Sequence, residues 1–161
     1  MAGLKEARAR AREERKRFHH ESLRQELSDW ISEKYHIDVV ATDGERFLEG
    51  GRGEIVPDEG CLYYDQRLES KPEELLEVIA HEFGHFLLHK ADLEKDPDKH
   101  AIFYRIPLGR INEDQLEKET NIFAANLLVP QKMLDKYKSL DTNTIAKIFG
   151  VSPEVIGISV K

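Results

Sequence analysis

The segment from Ser70 to Ala91, SKPEELLEVIAHEFGHFLLHKA, constrains this chain more than any other stretch. Leu75, Leu76, Ile79, Phe83, Phe86 and Leu87 ring most of a helix with apolar side chains, and a helix apolar on most sides is buried. Ser70 is the expected N-cap, with Pro72 in the first turn and Glu73 at the capping-box position. Within the helix stands His81-Glu82-Phe83-Gly84-His85. At about 100° and about 1.5 Å per residue, two histidines four apart lie about 40° apart around the axis and about 6 Å apart along it. Both imidazoles can therefore converge on one ion. Buried histidines and a buried carboxylate need partners, and a metal ion meets that need in one step. Zinc takes imidazole nitrogen at about 2.0–2.1 Å, and a catalytic zinc needs a third protein ligand plus one open position for water. Glu82 is the candidate base for that water. His89 extends the series, but a His85–His89 pair would lack an adjacent base, and His81 and His89 lie about 12 Å apart along the axis. His89 is assigned to hydrogen bonding or the surface.

Composition sets the frame around this helix. A chain of 161 residues is most simply one domain, long enough to bury a core without staples. Apolar residues make up 40%, which excludes disorder throughout. No run approaches the ~18 apolar residues of a membrane span, and nothing at the start resembles a signal peptide. The single cysteine, Cys61, allows no internal disulfide, so a reducing compartment, the cytoplasm, is expected. The net charge of −7 is uneven: residues 1–20 carry seven Lys/Arg against three Glu, a local +4 that leaves −11 elsewhere. An acidic body argues against extended nucleic-acid contact by the core.

Residues 4 to about 34 lack proline and favour helix. Phe18, Leu23, Leu27, Trp30 and Ile31 make the second half amphipathic, whereas Lys5 to Arg17 shows almost no apolar face and is expected to fray or project. The adjacent pair His19-His20 points in different directions and makes a poor chelate. A β-branched run at 37–40 precedes a turn at Thr42-Asp43-Gly44. The glycines of Glu49-Gly-Gly-Arg-Gly53 mark a tight connection, with no Gly-Lys-Ser/Thr ending to make a phosphate loop. Glu54–Val56 and Cys61–Tyr64 flank the Pro57-Asp58-Glu59-Gly60 turn and predict a hairpin. Cys61 reads as a small buried hydrophobe.

Residues 91–111 form a long connection holding His100 and Tyr104, either of which could donate to an oxyanion. Asn112 then caps a helix expected over 113–129 and ended by Pro130. Leu116, Phe123, Ala124 and Leu127 supply its core stripe. Glu117 and Glu119 point about 160° apart, so this helix can offer one of them to a metal but not both.

Taken together, His81-Glu-Phe-Gly-His85, Leu87-Leu88-His89 and Glu117-Lys-Glu-Thr-Asn121-Ile-Phe-Ala-Ala-Asn-Leu-Leu-Val-Pro130 resemble the ImmA/IrrE family of zinc metallopeptidases. The family's usual wording of the last segment is Glu-x-x-Ala-Asn-x-Phe-Ala-x-x-Leu-Leu-Met-Pro, from which Thr120 and Val129 depart. The resemblance covers about residues 55–135. It implies a zincin-like α+β fold, mostly helical, with a small sheet beside the active helix and a second helix bringing the third ligand. It implies Zn2+ held by His81, His85 and Glu117, with Glu82 as general base and Asn121 steadying a ligand. Glu117 is preferred to Glu119 because it stands three before the Thr120-Asn121 pair. The function implied is a gluzincin-type endopeptidase, regulatory, cutting a helix-turn-helix repressor in a mobile-element or stress circuit. Tyr63, Tyr64, Tyr104 and His100 are candidate oxyanion donors, and strand 61–64 is expected to pair with the substrate backbone. Thr144 to Ile156 resembles a helix-turn-helix, expected here as a helical pair packed on the core rather than a DNA reader, since Glu154 would repel phosphate. The alternative reading is a DNA- or partner-binding regulator whose metal site is structural or silent.

Overall fold

The computed structural model describes residues 3–47, 51–95 and 115–159, and their side chains except at 24 and 89–95. Its helices are α1 (Leu4–Arg15), α2 (Arg24–Tyr35), α3 (Pro72–Lys95), α4 (Gln115–Leu128), α5 (Gln131–Leu134), α6 (Thr142–Phe149) and α7 (Pro153–Ser159). Three strands, β1 (Asp38–Thr42), β2 (Gly53–Val56) and β3 (Cys61–Asp65), form one small sheet. The fold is α+β and mostly helical, as the resemblance implied. Among the described residues, no helix is long and apolar enough to cross a membrane.

The predicted hairpin forms: β2 pairs antiparallel with β3, Ile55 opposite Leu62, across a turn that ends at Gly60 in the left-handed region (φ 67°). Its place in the sheet differs from expectation. The run after α2 becomes β1 and pairs parallel with β3, giving the order β1-β3-β2. The central strand β3 spends its backbone groups on two neighbours, so residues 61–64 cannot also pair with a substrate. The edge next to α3 is β2.

The basic N-terminus also departs from expectation. Lys5 to Arg17 neither frays nor projects: α1 packs along α4, and Ala7 and Ala11 are fully buried. Alanine buries little area but admits a close neighbour, so a helix without large apolar residues still has an inner face. Glu14, also buried, accepts from Trp30 Nε1 (3.1 Å) and Tyr35 Oη (2.6 Å), tying α1 to α2. Arg15 closes the link between them by donating from Nη2 to the carbonyls of His20 and Glu21, both at 2.8 Å. Burial pulls its guanidinium down to about 10.

Ser70 is not the cap of α3. It ends a short 3-10 turn, Gln66–Ser70, and its hydroxyl donates to the Arg67 carbonyl at 3.0 Å, while the first backbone bond of α3 runs from Leu75 to Lys71. The helix then runs on through residues expected to begin the long connection, as far as Lys95. Asn112, His100 and Tyr104 lie outside the described residues, as does the His89 side chain. The core gathers Leu23, Leu27, Ile31, Ile55, Leu62, Ile79, Phe83, Phe123, Leu127 and Phe149 into one cluster.

An aspartate at Ala11 tests the packing of α1. Its charge would be buried against α4 near Glu14, and Ala11→Asp is expected to cost at least about 2 kcal/mol, or about 4–8 °C in Tm. A melt unchanged from wild type would return α1 to a frayed arm.

Candidate metal centre

Two helices bring the site together. His81 and His85 stand one turn apart on α3, their rings edge to face with centroids 4.7 Å apart. Glu117, in the first turn of α4, reaches between them: Oε2 is 3.2 Å from His81 Nε2, and Oε1 is 2.9 Å from His85 Nε2. All three are buried, and one ligand atom from each lies within 4.8 Å of the others. Donors about 2.1 Å from a tetrahedral metal stand about 3.4 Å apart, so the spacing suits an ion. The donor set, two imidazole nitrogens and a carboxylate oxygen, suits it too.

The electrostatics agree. Burial, the largest influence on each group, disfavours its charged form, yet the carboxylate of Glu117 lifts His81 above its ordinary value. The same two histidines hold Glu117 well below the usual carboxylate range despite its burial. A buried anion flanked by two bases needs a cation among them, and protons or a metal can fill that place.

The meeting depends on Gly84. A Cβ at this position would come within 2.8 Å of the Phe123 ring and 3.1 Å of the Thr120 methyl. Glycine therefore lets α3 and α4 cross closely enough for Glu117 to reach both imidazoles. Glu82 lies on the sheet side, buried beside His81, and its charge also raises that histidine's pKa. Opposite it, Gly53 of β2 approaches α3 so closely that a Cβ would meet Val78 at 2.6 Å and Glu82 Cγ at 3.2 Å. The sequence marked Gly53 only as part of a tight connection; its role in seating β2 against Glu82 carries no periodic signal.

Of the remaining candidates, Asn121 stands beside the His81 ring, although among the described residues no hydrogen bond of good geometry reaches His81 Nδ1. Glu119 is buried away from the triplet and accepts from Gln115 Nε2 at 3.1 Å. Thr120, which the sequence showed only as a departure from family wording, touches His85: its Oγ1 lies 3.3 Å from Nδ1. The two tyrosines of β3 are engaged elsewhere. Tyr63 donates to Glu59 under the Arg46 guanidinium, and Tyr64 donates to Glu69.

A cleft of about 660 Å³ opens beside His81 and Asn121. Ala124, Ala125 and Leu128 of α4 face Val155 and Ile158 of α7 across it, so the C-terminal helical pair forms a wall. That pair is fastened to α3 at Glu77, which accepts from Ser152 Oγ (2.8 Å) and from Ser152 N (3.3 Å). Burial raises the Glu77 pKa, against the opposing pull of those bonds.

A carboxylate-flanked His-His-Glu triplet on this α+β frame defines a metallopeptidase-like domain. The chain belongs to the M78 peptidase family, described as the IrrE N-terminal-like domain, whose pattern matches residues 32–161. It is similar to Metallopeptidase ImmA of Bacillus subtilis (strain 168), with 34% identity over 59 residues, covering 37% of this chain and 30% of that protein. Among solved structures it resembles a Mycobacterium tuberculosis transcriptional regulator at a TM-score of 0.66 and 18% identity, covering 94% of this chain and 45% of that one. The chain thus spans less than half the length of either relative.

Widening the helix crossing should damage fold and site together. Gly84→Val is expected to cost about 1–3 kcal/mol through overpacking, lowering Tm by about 2–12 °C. Calorimetry checks this, and an unchanged melt would mean that the crossing has slack.

Proposed function

We propose that this chain is a zinc-dependent endopeptidase of the gluzincin type, with His81, His85 and Glu117 as zinc ligands and Glu82 as general base. The observation that carries this reading is the burial of Glu82 beside the triplet, since a merely structural metal site has no use for a base next to its first ligand. Bound zinc would supply a Lewis acid and acidify a water molecule. Glu82 takes a proton from the attacking water and passes it to the leaving amide nitrogen, so water adds across the peptide bond and no net proton is consumed. Gly53 keeps β2 seated against Glu82. Asn121 supports the His81 side of the site.

The finer reading is regulatory cleavage of a helix-turn-helix repressor in the cytoplasm. The family resemblance supports it, and so does the likeness to the Mycobacterium tuberculosis transcriptional regulator. A second reading, a DNA- or partner-binding regulator with a silent metal site, draws on the helical pair α6–α7. Against it, α7 turns Glu154, Val155 and Ile158 toward the cleft.

Zinc content and cleavage decide between them. Glu82→Gln should keep about one zinc per chain while hydrolysis of a candidate repressor falls by about 10²–10⁴-fold. Glu117→Ala should lose the metal, whereas Glu119→Ala should keep it. Full cleavage by Glu82→Gln would sink the peptidase reading, and zinc retained by Glu117→Ala but lost by Glu119→Ala would reassign the third ligand.

A further inference from the structure

We propose that Thr120 is a positioning residue that fixes His85 as its Nδ1–H tautomer and so presents Nε2 to the metal. The inference rests on the zinc reading above. The Thr120 hydroxyl has one proton, and the Leu116 carbonyl one turn back, at 2.8 Å, is a closer acceptor for it than His85 Nδ1 at 3.3 Å. With the proton on that side, the oxygen accepts from His85, and Nδ1 carries the hydrogen. The other nitrogen, Nε2, stands 2.9 Å from Glu117 Oε1, where only a proton or a metal can lie between them, so an entering metal replaces hydrogen at Nε2 and not at Nδ1.

The hydroxyl is itself held in place. Thr120 and His85 are almost completely buried, so water does not compete for the contact. The threonine methyl sits where it would stand 3.1 Å from a Cβ at Gly84, so glycine makes room for it and α3 limits its rotation. Glu117 and Thr120 are three apart on α4 and share a face. One helix thus grips both nitrogens of one imidazole, with the carboxylate at Nε2 and the hydroxyl at Nδ1. The family's usual alanine at this position has no such oxygen, so the device is a departure of this chain. Among the described residues, no threonine stands in this way at His81 Nδ1; Asn121 lies beside that ring instead.

The test measures zinc affinity by competition with a chromophoric chelator, and the His85 ring by ¹⁵N-edited NMR of the zinc-loaded full chain. Thr120→Val keeps the shape and removes the oxygen, and zinc should bind about 10–100-fold more weakly. Thr120→Ser keeps the oxygen and should stay within about threefold of wild type. In wild type, His85 should show metal on Nε2 and an exchange-protected proton on Nδ1; Thr120→Val should lose that protection. The NMR arm needs no variant, so it stands even if Thr120→Val fails to fold. Wild-type zinc bound through Nδ1, or equal affinity in a folded Thr120→Val, overturns the proposal while leaving the zinc reading intact. A wild-type chain that takes up no zinc overturns both.

Discussion

The site exists because two helices cross unusually closely at one residue without a side chain. Gly84 meets the Phe123 ring and the Thr120 methyl where any other residue would place a Cβ. Helix axes separate by the bulk of the side chains between them. Only a short separation lets Glu117, with a three-bond reach, stand between imidazoles carried by the neighbouring helix. The other dependencies follow from this one. The buried carboxylate is tolerable because two bases flank it, and the bases stay poised because the carboxylate is there. A gap of an ångström would leave each of them buried and unsatisfied.

The sheet plays a supporting part at the opposite side of α3. Its contribution is Gly53, which brings β2 against Val78 and Glu82. Helix α3 is thus pressed between two glycine contacts, one that sets the distance to α4 and one that sets the distance to β2. This division explains how a helix apolar around most of its surface can still carry three buried polar residues, His81, Glu82 and His85, within about one turn. Each has a neighbour close enough to hold it.

Much of this was legible in the residues. The i, i+4 histidines put two rings on one face by helical arithmetic alone. The same arithmetic separated Glu117 from Glu119, and the structure indeed turns Glu119 toward Gln115. The hairpin followed from Pro57 and Gly60 between two β-prone runs. What escaped were features that have no period. The parallel pairing of β1 with β3 depends on how the chain returns after a connection, and no residue pattern announces it. The inner face of α1 is made of Ala7 and Ala11, which hardly register as hydrophobic in a helix crowded with arginine. Ser70 had the cap's sequence signature, but a 3-10 turn claimed its hydroxyl first. Thr120 looked like a mild substitution because its partner, His85, lies 35 residues away.

The packing of α1 along α4 has a bearing on where this domain begins. The family match starts at residue 32, beyond α1 and most of α2, yet Ala7, Ala11, Phe18, Leu23 and Leu27 belong to the same core as Phe83 and Phe123. Similarity among relatives and continuity of the hydrophobic interior thus draw different borders. A chain shortened to the homologous segment would bare the back of the helix that carries Glu117. The hydrophobic core extends beyond the segment that the family pattern matches.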